Sequence, residues 1–216
     1  DCSVAAAPFP SSVPFGYDEL EKQSYDEAKA KELLKTAGYE DTDGDGVVED
    51  ADGEPLKMTI SVAYDLAGSG EMIDTIAASM QSGLQAVGIN CSIANLENGS
   101  AIKENHEYDL AICNFLSAIT GDPYSFLRAN WGTDGGTNYT GYSNAEFDEV
   151  LEKLSAATDP QERYSIAQEA QQILLNDNAS VFMVTKNYNI AASSKIKNLK
   201  GFPLDYYLLT PDTTVE

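Results

Sequence analysis

Apolar and polar positions alternate from Leu56 to Tyr64, with Leu56, Met58, Ile60 and Val62 on one side, and that period of two predicts a strand. After the turn Gly68-Ser69-Gly70 the period lengthens. Ile73, Ile76, Met80, Leu84 and Val87 fall close to the helical repeat, which predicts a helix closed by Gly88. Ile89, Cys91 and Ile93 restore the strand period, so strand, helix and strand form a unit long enough for a parallel crossover. Tyr108 to Cys113 predicts a third strand.

Helix starts are marked by side chains that serve free amides. Ser24 and Glu27 form a capping-box pattern ahead of Leu33, Leu34 and Ala37, and Gly38 ends that helix. Ser143 and Glu146 repeat the pattern ahead of Phe147, Val150, Leu151 and Leu154. Asp122-Pro123 and Asp159-Pro160 each pair a capping carboxylate with a proline at the first helical position. Val181 to Val184 and Tyr188 to Ala192 predict two strands paired with each other. Residues 1–23, rich in Pro, Ser and Gly, predict an irregular lead-in, residues 24–200 the main lobe, and residues 201–216 a tail without an evident partner. The fold class expected is α/β, a mixed sheet flanked by helices.

Composition narrows the function. The formal net charge of −22, from 13 basic and 35 acidic residues, repels phosphate backbones and anionic lipid, so neither nucleic acid nor a membrane surface is an expected partner. No apolar run is long enough to span a bilayer. Asp1-Cys2-Ser3 carry no basic or apolar leader, consistent with a removed signal or with a piece of a larger protein. Three cysteines, Cys2, Cys91 and Cys113, are too few and scattered for a disulfide framework, and Cys91 and Cys113 are expected as buried free thiols.

Chemistry-bearing residues are sparse. The single histidine, His106, has no nameable catalytic partner, and no nucleophile elbow or zinc-binding helix occurs, so no enzyme is expected. The turn at Gly68 lacks the remaining elements of a phosphate loop. The sharpest local pattern is Asp41 to Asp52. Asp41, Asp43 and Asp45 stand at positions 1, 3 and 5 of a calcium loop, with Gly46 at 6, the Val47 carbonyl at 7 and Asp52 at 12. Two readings stand: a structural calcium ion, or a solvated acidic turn joining helix to strand. No other cofactor is expected. The aromatic loop from Asn114 to Tyr142 offers the candidate ligand surface, because ligands of open α/β folds lie beyond strand carboxyl ends.

Read in order, several segments resemble the second lobe of family 5 extracellular solute-binding proteins, the peptide and nickel receptors of ABC importers. They are Tyr25 to Tyr39, Asp43 to Gly46, Leu56 to Ile60, Leu84 to Ile89, Tyr108 to Leu110, Gly121 to Pro123 with Phe126, and Asn138 to Asn144 with Phe147 and Asp148. The resemblance implies one lobe of a type II periplasmic-binding-protein-like fold, whose missing N-terminal lobe closes with it on a small solute, a peptide or a metal chelate. It also implies a membrane permease as partner and an extracytoplasmic location, in a periplasm or lipid-anchored at a cell surface. By position in the family, the ligand wall from this lobe is Ser117, Ala118, Ile119 and Thr120, with Asp122, Asn138 and Tyr139. Leu116 and Ile119 stand where peptide receptors carry a tryptophan and an aspartate, and Ser117 and Gly121 where nickel receptors carry a tryptophan and a tyrosine. The alternative expectation is a calcium-stabilised extracellular interaction module with no transport role.

Overall fold

The computed structural model describes residues 2–16, 24–68, 70–117, 121–187, 189–201 and 210–216. In chain order the elements are β1 (Cys2–Val4), α1 (Glu27–Thr36), β2 (Lys57–Ala63), α2 (Tyr64–Ala67), α3 (Glu71–Ala86), β3 (Asn90–Leu96) and α4 (Ser100–Asn105). They continue with β4 (Leu110–Ile112), α5 (Pro123–Trp131), α6 (Ala145–Ala156), α7 (Pro160–Asn176), β5 (Val184–Lys186), β6 (Ile196–Lys197) and β7 (Thr214–Val215). Contacts divide the chain into two compact units, residues 24–115 and residues 1–23 with 116–216. This division differs from the expected lead-in, lobe and tail.

The 24–115 unit is built on a three-stranded parallel sheet in the order β3-β2-β4. The central strand β2 buries Ile60, Val62 and Ala63, and even Ser61 is enclosed, as expected of a parallel strand covered on both faces. Helix α3 lays Ile73 and Ala77 on a core that includes Cys91 and Ile112. At the start of β4, Asp109 accepts from the Thr59 amide at 2.8 Å and so prolongs the ladder with a side chain. Helix α3 ends where expected. Gly88 turns the chain at φ +92°, and the Ile89 amide reaches back to the Leu84 carbonyl at 3.0 Å. A β-carbon on Gly88 would come within 2.8 Å of Val48 Cγ1, so glycine also permits close packing of the preceding loop.

In the other unit, α5, α6 and α7 enclose a core of Leu127, Trp131, Phe147, Val150, Leu151, Leu154, Ala170 and Leu174. The amino-terminal segment belongs to that core. Phe9, Val13 and Phe15 are buried in it, with Phe9 edge-on to Phe15 at 4.8 Å and to Phe126 at 5.5 Å between ring centroids. Strand β1 pairs antiparallel with β5, Cys2 opposite Lys186. The expected lead-in is therefore a packed part of this unit, because three large apolar side chains within residues 9–15 have a core to enter.

Other expectations change at the strands and caps. β5 pairs with β1, and among the described residues no strand occurs between 189 and 192; Tyr188 lies outside them. The tail has a partner, since β7 pairs antiparallel with β6. The cap of α1 is Asp26, which accepts from the Lys29 amide at 2.9 Å, in place of Ser24. The cap of α6 is Asn144, in place of Ser143, whose hydroxyl instead lies 3.0 Å from that of Thr133. Asp122 and Asp159 cap α5 and α7 as expected. Parallel pairing lies in the three-stranded sheet, and antiparallel pairing in the two small ribbons. Cys91 is a buried free thiol, Cys113 a half-buried one, and Cys2 an exposed one.

Candidate functional site

Because β2, β3 and β4 are parallel, their carboxyl ends share one edge of the sheet. The chain leaves the central strand for one side through α3 to β3, then crosses through α4 to β4 on the other side. That reversal is the switch point at which open α/β sheets leave a crevice for ligands. Tyr64 follows β2 there, and Asn114 and Phe115 follow β4, with the Asn114 amide donating to the Leu66 carbonyl at 3.0 Å. Tyr64 and Phe115 are large aromatic residues left 44% and 41% exposed, which gives this edge stacking surface.

Charges at the edge are partly paired. Lys103 Nζ lies 2.7 Å from Asp65 Oδ2, and that hydrogen bond holds the Asp65 carboxyl below its ordinary range. The Tyr64 hydroxyl lies 3.5 Å from Asp74 in the first turn of α3, where Glu71 and Asp74 complement the helix dipole. Burial pushes the Cys113 thiol up to about 11, with Lys103 pulling the other way, so it is protonated at neutral pH. The set can stack on and hydrogen-bond a small molecule, and it carries no nucleophile paired with a base.

The expected ligand residues lie in the other unit. Ala118, Ile119 and Thr120 fall outside the described residues, and Ser117 is half-buried. Asp122 accepts from the Tyr124 amide at 2.8 Å and pairs with Arg163. Arg163 also donates to the carbonyls of Leu154 at 2.6 Å and Ala157 at 2.8 Å, so it fastens the end of α6 to the start of α5. Asn138 organises its own loop. Its Nδ2 donates to Gly132 and Tyr142 carbonyls at 3.0 and 2.7 Å, and its Oδ1 accepts from the Tyr142 amide at 3.2 Å and the Thr140 hydroxyl at 3.0 Å. Tyr139 is half-buried. Most aromatics of this stretch serve the core, with Tyr124, Phe126, Trp131 and Tyr142 packed in or against it.

The acidic loop lies at the opposite, amino-terminal edge of the sheet. The Val48 amide donates to the Gly88 carbonyl at 2.8 Å and the Leu56 amide to the Val48 carbonyl at 2.9 Å, which stitches the loop to the starts of β2 and β3. Strands of seven residues separate the two edges by about 23 Å. Carboxylate oxygens of Asp41, Asp43, Asp45 and Glu49 lie within 4.8 Å of one another. Asp52 is not among them; its amide donates to Asp50 at 2.9 Å in a local turn. The fourth carboxylate is Glu49, buried at 7% exposure and accepting from the Thr42 amide and hydroxyl, both at 2.8 Å. Its place was legible, because position 9 of a calcium loop is often a ligand position. Asp41, Asp43 and Asp45 each accept amides of the following turn, so the same geometry suits a solvated acidic turn. The donor set is all oxygen, which fits a hard dication.

A parallel sheet with exposed aromatic residues beyond its carboxyl edge is the arrangement in which open α/β folds bind ligands. Comparison with known proteins gives the class. Residues 3–138 match the family described as bacterial extracellular solute-binding proteins, family 5, middle. The chain is similar to nickel-binding protein NikA of Staphylococcus aureus, 27% identical over 214 residues, covering 98% of this chain and 40% of that protein. It is 31% identical over 175 residues to di/tripeptide-binding protein 2 of Pseudomonas aeruginosa, covering 78% of this chain and 30% of that protein. The crystal structure of a nickel ABC transporter from Bacillus halodurans shares the fold, with a TM-score of 0.79 at 23% identity, covering 98% of this chain and 43% of that one. The chain belongs to the family 5 extracellular solute-binding proteins. It spans less than half the length of these relatives.

Proposed function

We propose that this chain is part of the receptor of an ABC importer, a non-catalytic component that captures a small solute by closing with the remainder of the protein and delivers it to a membrane permease. The observation that carries the reading is the carboxyl edge of the parallel sheet, where Tyr64 and Phe115 stand exposed at the switch point. Family membership supports it, and the relatives' names point to a peptide or a nickel chelate as the solute class. The protein acts outside the cytoplasm, in a periplasm or lipid-anchored at the cell surface. Ser117, Ala118, Ile119, Thr120 and Tyr139 remain candidate contacts to the solute, whereas Asp122 and Asn138 serve chiefly to position their loops.

Titration calorimetry of the full-length protein with a tripeptide, and separately with nickel plus histidine, tests this reading. One of the two should bind in the micromolar range or tighter, and these 216 residues alone should bind it at least about 100-fold more weakly, since part of the pocket is absent. Equal affinity from the 216-residue chain would contradict closure, and binding of neither would contradict the solute class.

A structural calcium ion in the Asp41–Asp45 loop with Glu49 is the second reading, favoured by the convergence of four carboxylates at one point. At the amino-terminal edge it would brace the joint between α1 and β2, away from the solute. Saturation at 100 times the dissociation constant adds about 2.7 kcal/mol of stability. Calorimetric melting in millimolar calcium against EDTA should therefore show a rise of several degrees. An unchanged midpoint leaves the loop a solvated turn.

A further inference from the structure

We propose that Arg163 is a positioning residue for solute capture: it holds Asp122, and so fixes where the candidate solute contacts from Ser117 to Thr120 join α5. The inference rests on the receptor reading above. Arg163 lies at the start of α7, with 19% of its side chain exposed. Its Nη1 donates to the Leu154 carbonyl at 2.6 Å and the Ala157 carbonyl at 2.8 Å, and its Nη2 pairs with Asp122 Oδ2. The two carbonyls stand at the carboxyl end of α6, where the last carbonyls lack partners within the helix and the dipole is negative. A guanidinium suits both neighbours, because its planar fork presents separate nitrogens at fixed geometry. A lysine ammonium is a single point and cannot serve the helix end and the carboxylate in that way.

Asp122 uses its two oxygens for different partners. Oδ1 accepts from the Tyr124 amide at 2.8 Å as the cap of α5, and Oδ2 takes the guanidinium. The cap alone fixes Asp122 to its own helix, and the charged pair adds a tie to α6 and α7. Residues 117–120 reach that point through Gly121, which turns the chain at φ +69°. The direction in which they depart therefore follows from where Asp122 is held. Two roles of Arg163 can be separated. Its bonds to Leu154 and Ala157 join α6 to α7 and bear on stability, whereas its bond to Asp122 alone leads to the solute contacts. Asp122→Asn divides them, since asparagine caps a helix as aspartate does but turns an amide nitrogen, donor against donor, toward the guanidinium.

Titration calorimetry of the full-length protein with the tripeptide, and separately with nickel plus histidine, tests the proposal alongside melting temperatures. Asp122→Asn should weaken binding of whichever probe the parent takes by at least about fivefold, with the melting temperature within a few degrees of the parent. Arg163→Gln should weaken binding to a similar extent and also melt lower, because it frees the carbonyls of α6 as well. The double variant should bind no more weakly than the weaker single one, since both substitutions break the same link. Parent-like affinity in folded Asp122→Asn would overturn the proposal, and so would additive losses in the double variant. Asp122→Asn decides the matter if Arg163→Gln does not fold. A parent that binds neither probe overturns the receptor reading itself, and the positioning role with it.

Discussion

Cys113 follows β4 at the carboxyl edge of the sheet, half-buried, with its thiol pushed up to about 11 by desolvation. A raised value means that the unfolded chain ionises first as pH rises. The associated stability is fully present below about pH 9 and is lost as pH climbs toward about 11. Alkylation should follow the same order, with exposed Cys2 reacting readily near neutral pH and Cys113 accelerating only above pH 10 or so. Mass spectrometry after timed iodoacetamide labelling would read this directly, and fast neutral-pH labelling of Cys113 would contradict it. Single residues also show where sequence reading stops. Asp41, Asp43 and Asp45 follow from spacing alone, and Glu49 stands at the ninth position that the same spacing offers. What spacing does not record is that Asp52 lies apart from them, its amide drawn into a local turn with Asp50.

Elements with strong periodicity were legible throughout. β2, α3 and β3 follow from alternation giving way to a helical repeat and back, and Gly38 and Gly88 mark helix ends by their left-handed φ. Caps were located to within one or two residues, because Ser24 and Asp26, or Ser143 and Asn144, offer the same chemistry and only backbone geometry decides between them. Hence Asp26→Ala and Asn144→Ala should each lower stability by about 1 kcal/mol in urea unfolding, with Ser24→Ala near neutral. A larger loss from Ser24→Ala than from Asp26→Ala would return the cap to Ser24. The β1–β5 ribbon was not legible. It joins segments 180 or more residues apart, and short strands of that kind carry little pattern of their own.

At the scale of the molecule, two edges of one small sheet differ in chemistry. The amino edge gathers carboxylates in one loop, and the carboxyl edge leaves aromatic surface where the chain reverses direction. The family and the α/β class were legible because ordered motifs survive low identity, while the packing of residues 9–15 into the helical unit was not, since Pro and Gly conceal three core side chains. In the proposed receptor, Tyr64 and Phe115 face the solute. Titration calorimetry of the full-length protein carrying Tyr64→Ala and Phe115→Ala, with the better-bound of the tripeptide and the nickel–histidine probe, measures it most directly. We predict a melting temperature within a few degrees of the parent, because neither residue is buried in the core, and affinity reduced at least about tenfold, a loss near 1.4 kcal/mol. Parent-like affinity in a folded double variant would contradict the assignment of this edge as the binding face.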